Sequence, residues 1–172
     1  MRGVWSLDTV GPISRTVEDA AMTLGAIAGY DSKDPYSWDT PVPDYRQGLT
    51  GDVRGLRVGV IREQMDEPSV EPDVRQAVAQ ATTLLGELGA RVEPVSLPLT
   101  QHGGVVSGAI LSAESAMNHR QWMRERLHDY GHDNRIGLLT GSLLPAQAYE
   151  KAVRLRHLIR HQVLEALNTY AV

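Results

Sequence analysis

The sequence predicts an α/β fold, with a βαβ unit followed by a helical C-terminal half. Three observations predict it. Two short β-branched runs, Leu56–Ile61 and Arg91–Val95, bracket an apolar segment of helical period. Past Pro98 the apolar residues recur every three or four positions almost to the end of the chain. With 172 residues and 42% hydrophobic content, the chain suits one domain with a core of its own.

The first element predicted is a helix after Thr16. Gly11-Pro12 cannot continue a helix and marks a turn. Thr16 can cap the first turn, and Glu18 and Asp19 place negative charge where the helix dipole is positive. Ala20, Ala21, Leu24 and Ile27-Ala28 form one apolar stripe, and Gly29 stops the helix. From Asp31 to Asp52 the chain is polar, with Pro35, Pro41 and Pro43. It reads as a surface loop with one short helical turn at Tyr45–Leu49.

Leu56–Ile61 is apolar on both faces and reads as a buried strand needing neighbours on both sides. Pro72 opens a long helix, where its missing N–H costs nothing. Val74, Ala77, Val78, Ala81, Leu84, Leu85 and Leu88 form a stripe expected to pack on the sheet, and Gly89 ends the helix. Pro94 cannot donate to a ladder, so Arg91–Val95 is expected at an edge, parallel to the first strand. Val105 to Met117 predicts a helix continuing through Trp122, Met123 and Leu127. His128 to Asn134 reads as a break, and Ile136 to Leu139 as a short helix closed by Gly141. Pro145 opens the last helix, with Ala148, Ala152, Leu155, Ile159, Val163 and Ala166 as its buried stripe.

Composition excludes several classes of function. A net charge of −4 exerts no global pull on nucleic acid or an anionic membrane. The absence of cysteine leaves no disulfide framework and no thiolate metal site, and fits a cytoplasmic protein. No apolar run approaches the ~20 residues that span a bilayer, and Met1-Arg2-Gly3-Val4 lacks the apolar core of a signal peptide. His157 and His161 share a helix face, but no Glu follows His157 and no third ligand is apparent, so no metal or other cofactor is expected. Arg154, Arg156, Arg160, His157 and His161 read as a solvated helix face rather than a nucleic-acid site.

One run carries more information than the rest. Ser6-Leu7-Asp8-Thr9-Val10-Gly11-Pro12, then Arg15-Thr16-Val17-Glu18-Asp19-Ala20-Ala21, then Ala28-Gly29-Tyr30-Asp31-Ser32-Lys33-Asp34-Pro35 resembles the amidase signature family. That family includes amide hydrolases and the A subunit of the glutamyl-tRNA amidotransferase. The resemblance implies the amidase signature fold, a mixed sheet flanked by helices, and cleavage of a small amide's carbon–nitrogen bond by a serine nucleophile, with a lysine and a second serine. In the family those residues lie in a Gly/Ser-rich region upstream of the Ser-Leu-Asp run, which here begins at residue 6. The expectation is therefore that residues 1–172 are a partial amidase domain, without the catalytic region and without the C-terminal end, and inactive alone. Met1 and Val172 are then not natural domain ends. The strand at 56–61, or an apolar face of the helices around it, should lack a partner.

The two lysines, Lys33 in an acidic loop and Lys151 on an arginine-rich helix face, have no catalytic context, and no residue here is assigned a catalytic role. Ser6 and Asp8 are candidates for shaping the pocket from behind the reacting groups. The competing expectation is that Asp8 closes an Asx-type turn before Gly11-Pro12. Asp133 to Gly141 resembles the family segment over the substrate entrance. There two adjacent basic residues are associated with holding the glutamine carboxylate in the amidotransferase. Only Arg135 matches, with Gly137 near the second position, so Arg135 is the candidate substrate-binding residue and glutamine is disfavoured. The alternatives are the A subunit of the amidotransferase, a glutaminase with its fellow subunits and tRNA as partners, and a non-catalytic α/β binding module.

Overall fold

The structure, a computed structural model, describes residues 3–172. Met1, one of the two expected artificial ends, lies outside the described residues. The chain divides into two compact units, one formed by Thr9–Asp52 and the other by Val53–Val172 with the described part of Met1–Asp8.

In the Thr9–Asp52 unit, helix α1 runs over Val17–Ile27. Thr16 is extended and its Oγ1 accepts from Asp19 N at 3.0 Å, the capping bond expected of a Thr before an acidic first turn. Ala21 is the buried residue of α1. A 3-10 turn follows at Tyr45–Gly48, capped by the Asp44 side chain. Arg46 reaches Glu18 of α1 at 3.6 Å, an exposed pair of small energetic weight.

The larger unit begins with strand β1 (Arg57–Ile61), a short helix α2 (Arg62–Met65), helix α3 (Pro72–Glu87) and strand β2 (Arg91–Val95). β1 and β2 pair in parallel, Val58 opposite Val92 and Ile61 opposite Val95. The βαβ unit is thus present with the expected parallel pairing. Glu63 ties α2 to the segment after β2 by accepting from Ser96 Oγ and Leu97 N. The α3 stripe is not packed on the sheet as expected: Val74, Leu84 and Leu88 are each 54% exposed, and no residue of α3 is buried. Of the two forms of unpartnered surface expected here, an open strand or an open helix face, the structure shows the helix face, because β1 does not lack a second neighbour along its whole length. Ala171 N donates to Arg57 O at 2.8 Å and Gly59 N donates to Val172 O at 2.9 Å, so the chain end runs beside β1. Tyr170 packs across Gly59, where a Cβ would come within 3.1 Å of its ring.

The helical half comprises α4 (Gly103–Asn118), α5 (Arg120–Arg126), α6 (His132–Ser142) and α7 (Ala146–Leu167). The core sits here: Val106, Ile110 and Ala152 are buried together, with Leu7, Leu155 and Ile159 packed against them. Ile110 is fully enclosed. Gly141 brings α6 against α4, since a Cβ there would fall 2.1 Å from Ser112 O. The single helix expected from Val105 to Leu127 is broken at His119, whose Nδ1 meets Tyr130 Oη at 2.8 Å, while the Asn118 amide donates to Gly3 O at 2.9 Å. The polar break is shorter than expected, because α6 starts at His132 and takes in Arg135. Only Ala152 of the expected α7 stripe is fully buried; Leu155, Ile159, Val163 and Ala166 are half-buried and Ala148 is exposed. Among the described residues no helix is long and apolar enough to cross a membrane.

Candidate functional site

The site forms where the Ser6-Leu7-Asp8 turn meets α4 and α7. Position along α4 explains why. Ile110 and Glu114 are four residues apart and share the face that packs inward, so a carboxylate follows an isoleucine into the core. Glu114 is 5% exposed, and a buried carboxylate requires donors. It has three. Ser6 N donates to Oε2 at 2.7 Å, Ser6 Oγ donates to Oε1 at 2.6 Å, and Tyr149 Oη donates to Oε1 at 2.9 Å. Arg156, two helical turns beyond Tyr149 on α7, donates from Nη1 to Ser6 Oγ at 2.8 Å.

Burial raises the Glu114 pKa. The hydrogen bonds from Ser6 and Tyr149 and the nearby Arg156 charge outweigh that and hold the carboxyl below its ordinary range. Burial, and then the bond to Glu114, raise the Tyr149 phenol above its ordinary value, which keeps it a proton donor. The turn is also held from within. Asp8 Oδ2 accepts from Gly3 N at 2.6 Å and Val4 N at 2.9 Å. Asp8 therefore reaches back toward the N-terminus, and the Asx turn toward Gly11-Pro12 is not what these bonds form.

Beside this network lies a cleft of about 790 Å³. Glu114 and Tyr149 line it together with Trp5, Met117, Leu139 and Leu144. Arg120 and Arg124 also line it, one turn apart on α5 and both exposed. Ser6 stands behind this wall, bonded to Glu114, and Asp8 fixes the turn that carries Trp5. Arg135 is half-buried on the first turn of α6 and does not line the cleft.

The basic patch read on the last helix disperses in the structure. Arg156 turns to Ser6, Arg154 pairs with Glu150 at 2.9 Å, and His161 faces Glu165 at 3.5 Å. Among the described residues no three His, Cys, Asp or Glu side chains gather as metal ligands would. Sequence reasoning missed Glu114, Tyr149 and Trp5. A signal for Glu114 existed: it is the sole charged residue of α4, in phase with Ile110.

Comparisons with known proteins agree over this whole region. The family model described as Amidase matches residues 3–172. An amidase of Pseudomonas putida is 42% identical over 161 residues, covering 94% of this chain and 34% of that protein. The A subunit of the glutamyl-tRNA(Gln) amidotransferase of Geotalea daltonii is 34% identical over 185 aligned residues, covering 94% and 38%. Among solved structures, a protein of a vestigial complex that reveals the evolutionary origins of an s-triazine catabolic enzyme superposes with a TM-score of 0.90. It is 27% identical, with 99% of this chain and 36% of that chain covered. The A subunit of the glutamyl-tRNA(Gln) amidotransferase of Thermotoga maritima superposes with a TM-score of 0.78 at 29% identity, covering 97% and 36%. The chain thus spans about a third of the length of the relatives it matches.

Proposed function

This chain belongs to the amidase family, and we propose that it forms about one third of an enzyme that hydrolyses a small amide at its carbon–nitrogen bond with a serine nucleophile. The observation that carries this reading is the family match over residues 3–172, combined with coverage of only about a third of the amidase relative. In this reading residues 1–172 are a partial amidase domain, and the lysine and serines come from the rest of it.

The division of labour follows from the chemistry. A serine attacks an amide carbonyl when a neutral base takes its proton, and hydrogen-bond donors hold the oxyanion that forms. The amine then leaves with a proton, and water cleaves the resulting ester. Lys33 and Lys151 both stand exposed on the surface rather than in an enclosed site. Ser6 Oγ is committed to Glu114 and Arg156. What this chain contributes is a wall: Glu114, Tyr149 and Arg156 lock the Ser6–Asp8 turn, and the turn presents Trp5 to the cleft. Ser6 and Asp8 act in this reading as residues that shape the pocket.

A second reading is the A subunit of the glutamyl-tRNA amidotransferase, a glutaminase with partner subunits and tRNA. Identity to the Geotalea daltonii protein supports it. The lone Arg135, with Gly137 where a second basic residue would stand, counts against glutamine as substrate.

The test compares the 172-residue chain with the product of the whole reading frame, on simple amides and on glutamine. The chain alone is expected to turn over neither. The whole product is expected to hydrolyse a simple amide and to be labelled on serine by a fluorophosphonate. Turnover by the chain alone that survives loss of both lysines would mean the site has been misplaced. A reading frame that encodes only these 172 residues would favour the non-catalytic binding module. Glutamine turnover that depends on fellow subunits would favour the second reading.

A further inference from the structure

We propose that the cleft between α4, α5, α6 and the start of α7 binds an amide with an apolar body and a carboxylate, the carboxylate held by Arg120 and Arg124. This names a substrate class for the amide hydrolase proposed above and rests on that reading.

Three observations carry it. The first is size and lining. At about 790 Å³ the cleft falls within the ~300–1,000 Å³ range of small-molecule sites, and Trp5, Met117, Leu139 and Leu144 give it an apolar interior. The second is the state of the two guanidinium groups. Arg120 and Arg124 are four residues apart on α5, so they point from one face toward the same opening. Neither has an ion-pair or hydrogen-bond partner among the described residues. Arg126 pairs with Asp129, Arg154 with Glu150, and Arg156 is bonded to Ser6; Arg135 and Arg160 also lack a side-chain partner among the described residues, and what sets Arg120 and Arg124 apart from them is that both line the cleft. Two unpaired guanidinium groups side by side repel one another, and a shared carboxylate relieves that repulsion through charge-assisted hydrogen bonds.

The third observation concerns the one negative group on the lining. Glu114 is buried and has Ser6 and Tyr149 as donors, with the Arg156 charge nearby. Its charge is met locally and does not neutralise the exposed arginines. The cleft therefore has a buried polar end that is already satisfied, an apolar middle and a cationic rim that is not. A ligand matching that order has an apolar body and one anionic end. The carboxylate role given to Arg135 on sequence grounds passes to Arg120 and Arg124, since Arg135 does not line the cleft.

The experiment uses the 172-residue chain and two probes of nearly one shape: N-benzoylglycine, which has an aromatic body, an amide and a carboxylate, and its neutral amide, N-benzoylglycinamide. Binding is followed by backbone amide NMR shifts. The expected result is shifts confined to α4, α5, α6, the start of α7 and the turn that carries Trp5, with the carboxylate bound about fivefold more tightly than the neutral amide, the scale of an exposed ion pair. Arg120→Gln with Arg124→Gln should remove the preference while leaving neutral-amide binding unchanged, and added salt should weaken only the carboxylate. Both arginines are exposed, so the folded spectrum should persist in the variants. Equal binding of the two probes, shifts elsewhere, no binding of either, or a preference that survives the double substitution would overturn the proposal. Failure of the hydrolase reading is seen separately. A whole protein that cleaves no amide, beside a chain that keeps this preference, would remove the reading of the reaction and leave the ligand class standing.

Discussion

Helices α3 and α4 are each sixteen residues long, and each carries an apolar stripe at helical spacing, yet they live in opposite surroundings. α4 buries Val106, Ile110, Glu114 and Ala116 between α6 and α7. α3 buries nothing, and the leucines that mark its stripe stand half in water. Periodicity reports which face of a helix is apolar. It does not report whether the same chain supplies the surface that covers it. Around α4 the cover comes from elements within a few tens of residues. Around α3 the described residues offer β2 and the segment at 65–70, whose carbonyls accept from Arg75.

The largest expected effect lies on the α4 side. Ile110→Ala empties a fully enclosed position and should cost about 2–5 kcal/mol in a denaturant melt. A loss below about 1 kcal/mol would mean that α4 is not the centre of the core. Gly141→Ala probes the same packing from α6. Its added methyl meets a backbone carbonyl rather than a flexible side chain, so it should destabilise by about 1–3 kcal/mol.

Next comes Glu114. Its carboxyl is held below the ordinary glutamate value of 4.5 in the folded chain. A depressed folded value stabilises at pH above the unfolded value, and that contribution disappears as pH falls through the folded one. Urea melts across pH 3 to 7 should therefore show the wild type losing stability on the acid side. Glu114→Gln should be less stable than wild type at pH 7 by about 1–3 kcal/mol, with the gap narrowing in acid. A gap that stays constant with pH would show that the bonds to Ser6 and Tyr149 do not depend on the carboxylate's charge.

The smallest effect is expected on α3. Leu84→Ala and Leu88→Ala should each cost below about 1 kcal/mol in this chain, because half of each side chain is already in water and alanine is the better helix former. A cost of about 2–5 kcal/mol, the figure for a buried leucine, would mean that α3 is covered in solution.

Much of the architecture was legible in the residues. Thr16 before Glu18 and Asp19, Pro72 at a helix start, Pro94 in an edge strand and Pro145 before α7 each act through local backbone chemistry, and each element begins or pairs as that chemistry predicts. What was not legible depended on contacts distant in sequence. The break at His119 is accompanied by its bond to Tyr130 and by the bond from Asn118 to Gly3, and neither can be read from helical period. The same holds for the candidate site. Ser6 and Asp8 drew notice through family resemblance alone. Glu114 and Tyr149, 108 and 143 positions beyond Ser6, meet that turn only once α4 and α7 have packed. Arg156 read as one member of a solvated patch because spacing places it there, whereas its reach to Ser6 depends on the tertiary fold.

The central claim is that one chain holds a self-covered helical core beside a βαβ helix whose apolar face is open. Residue-resolved hydrogen exchange under native conditions tests it most directly. The account predicts that the amides of Val106–Ala116 exchange only through the largest opening the chain undergoes, while those of Val74–Leu88 exchange through a much smaller local one. Equal protection of the two helices, both at the level of global unfolding, would contradict it.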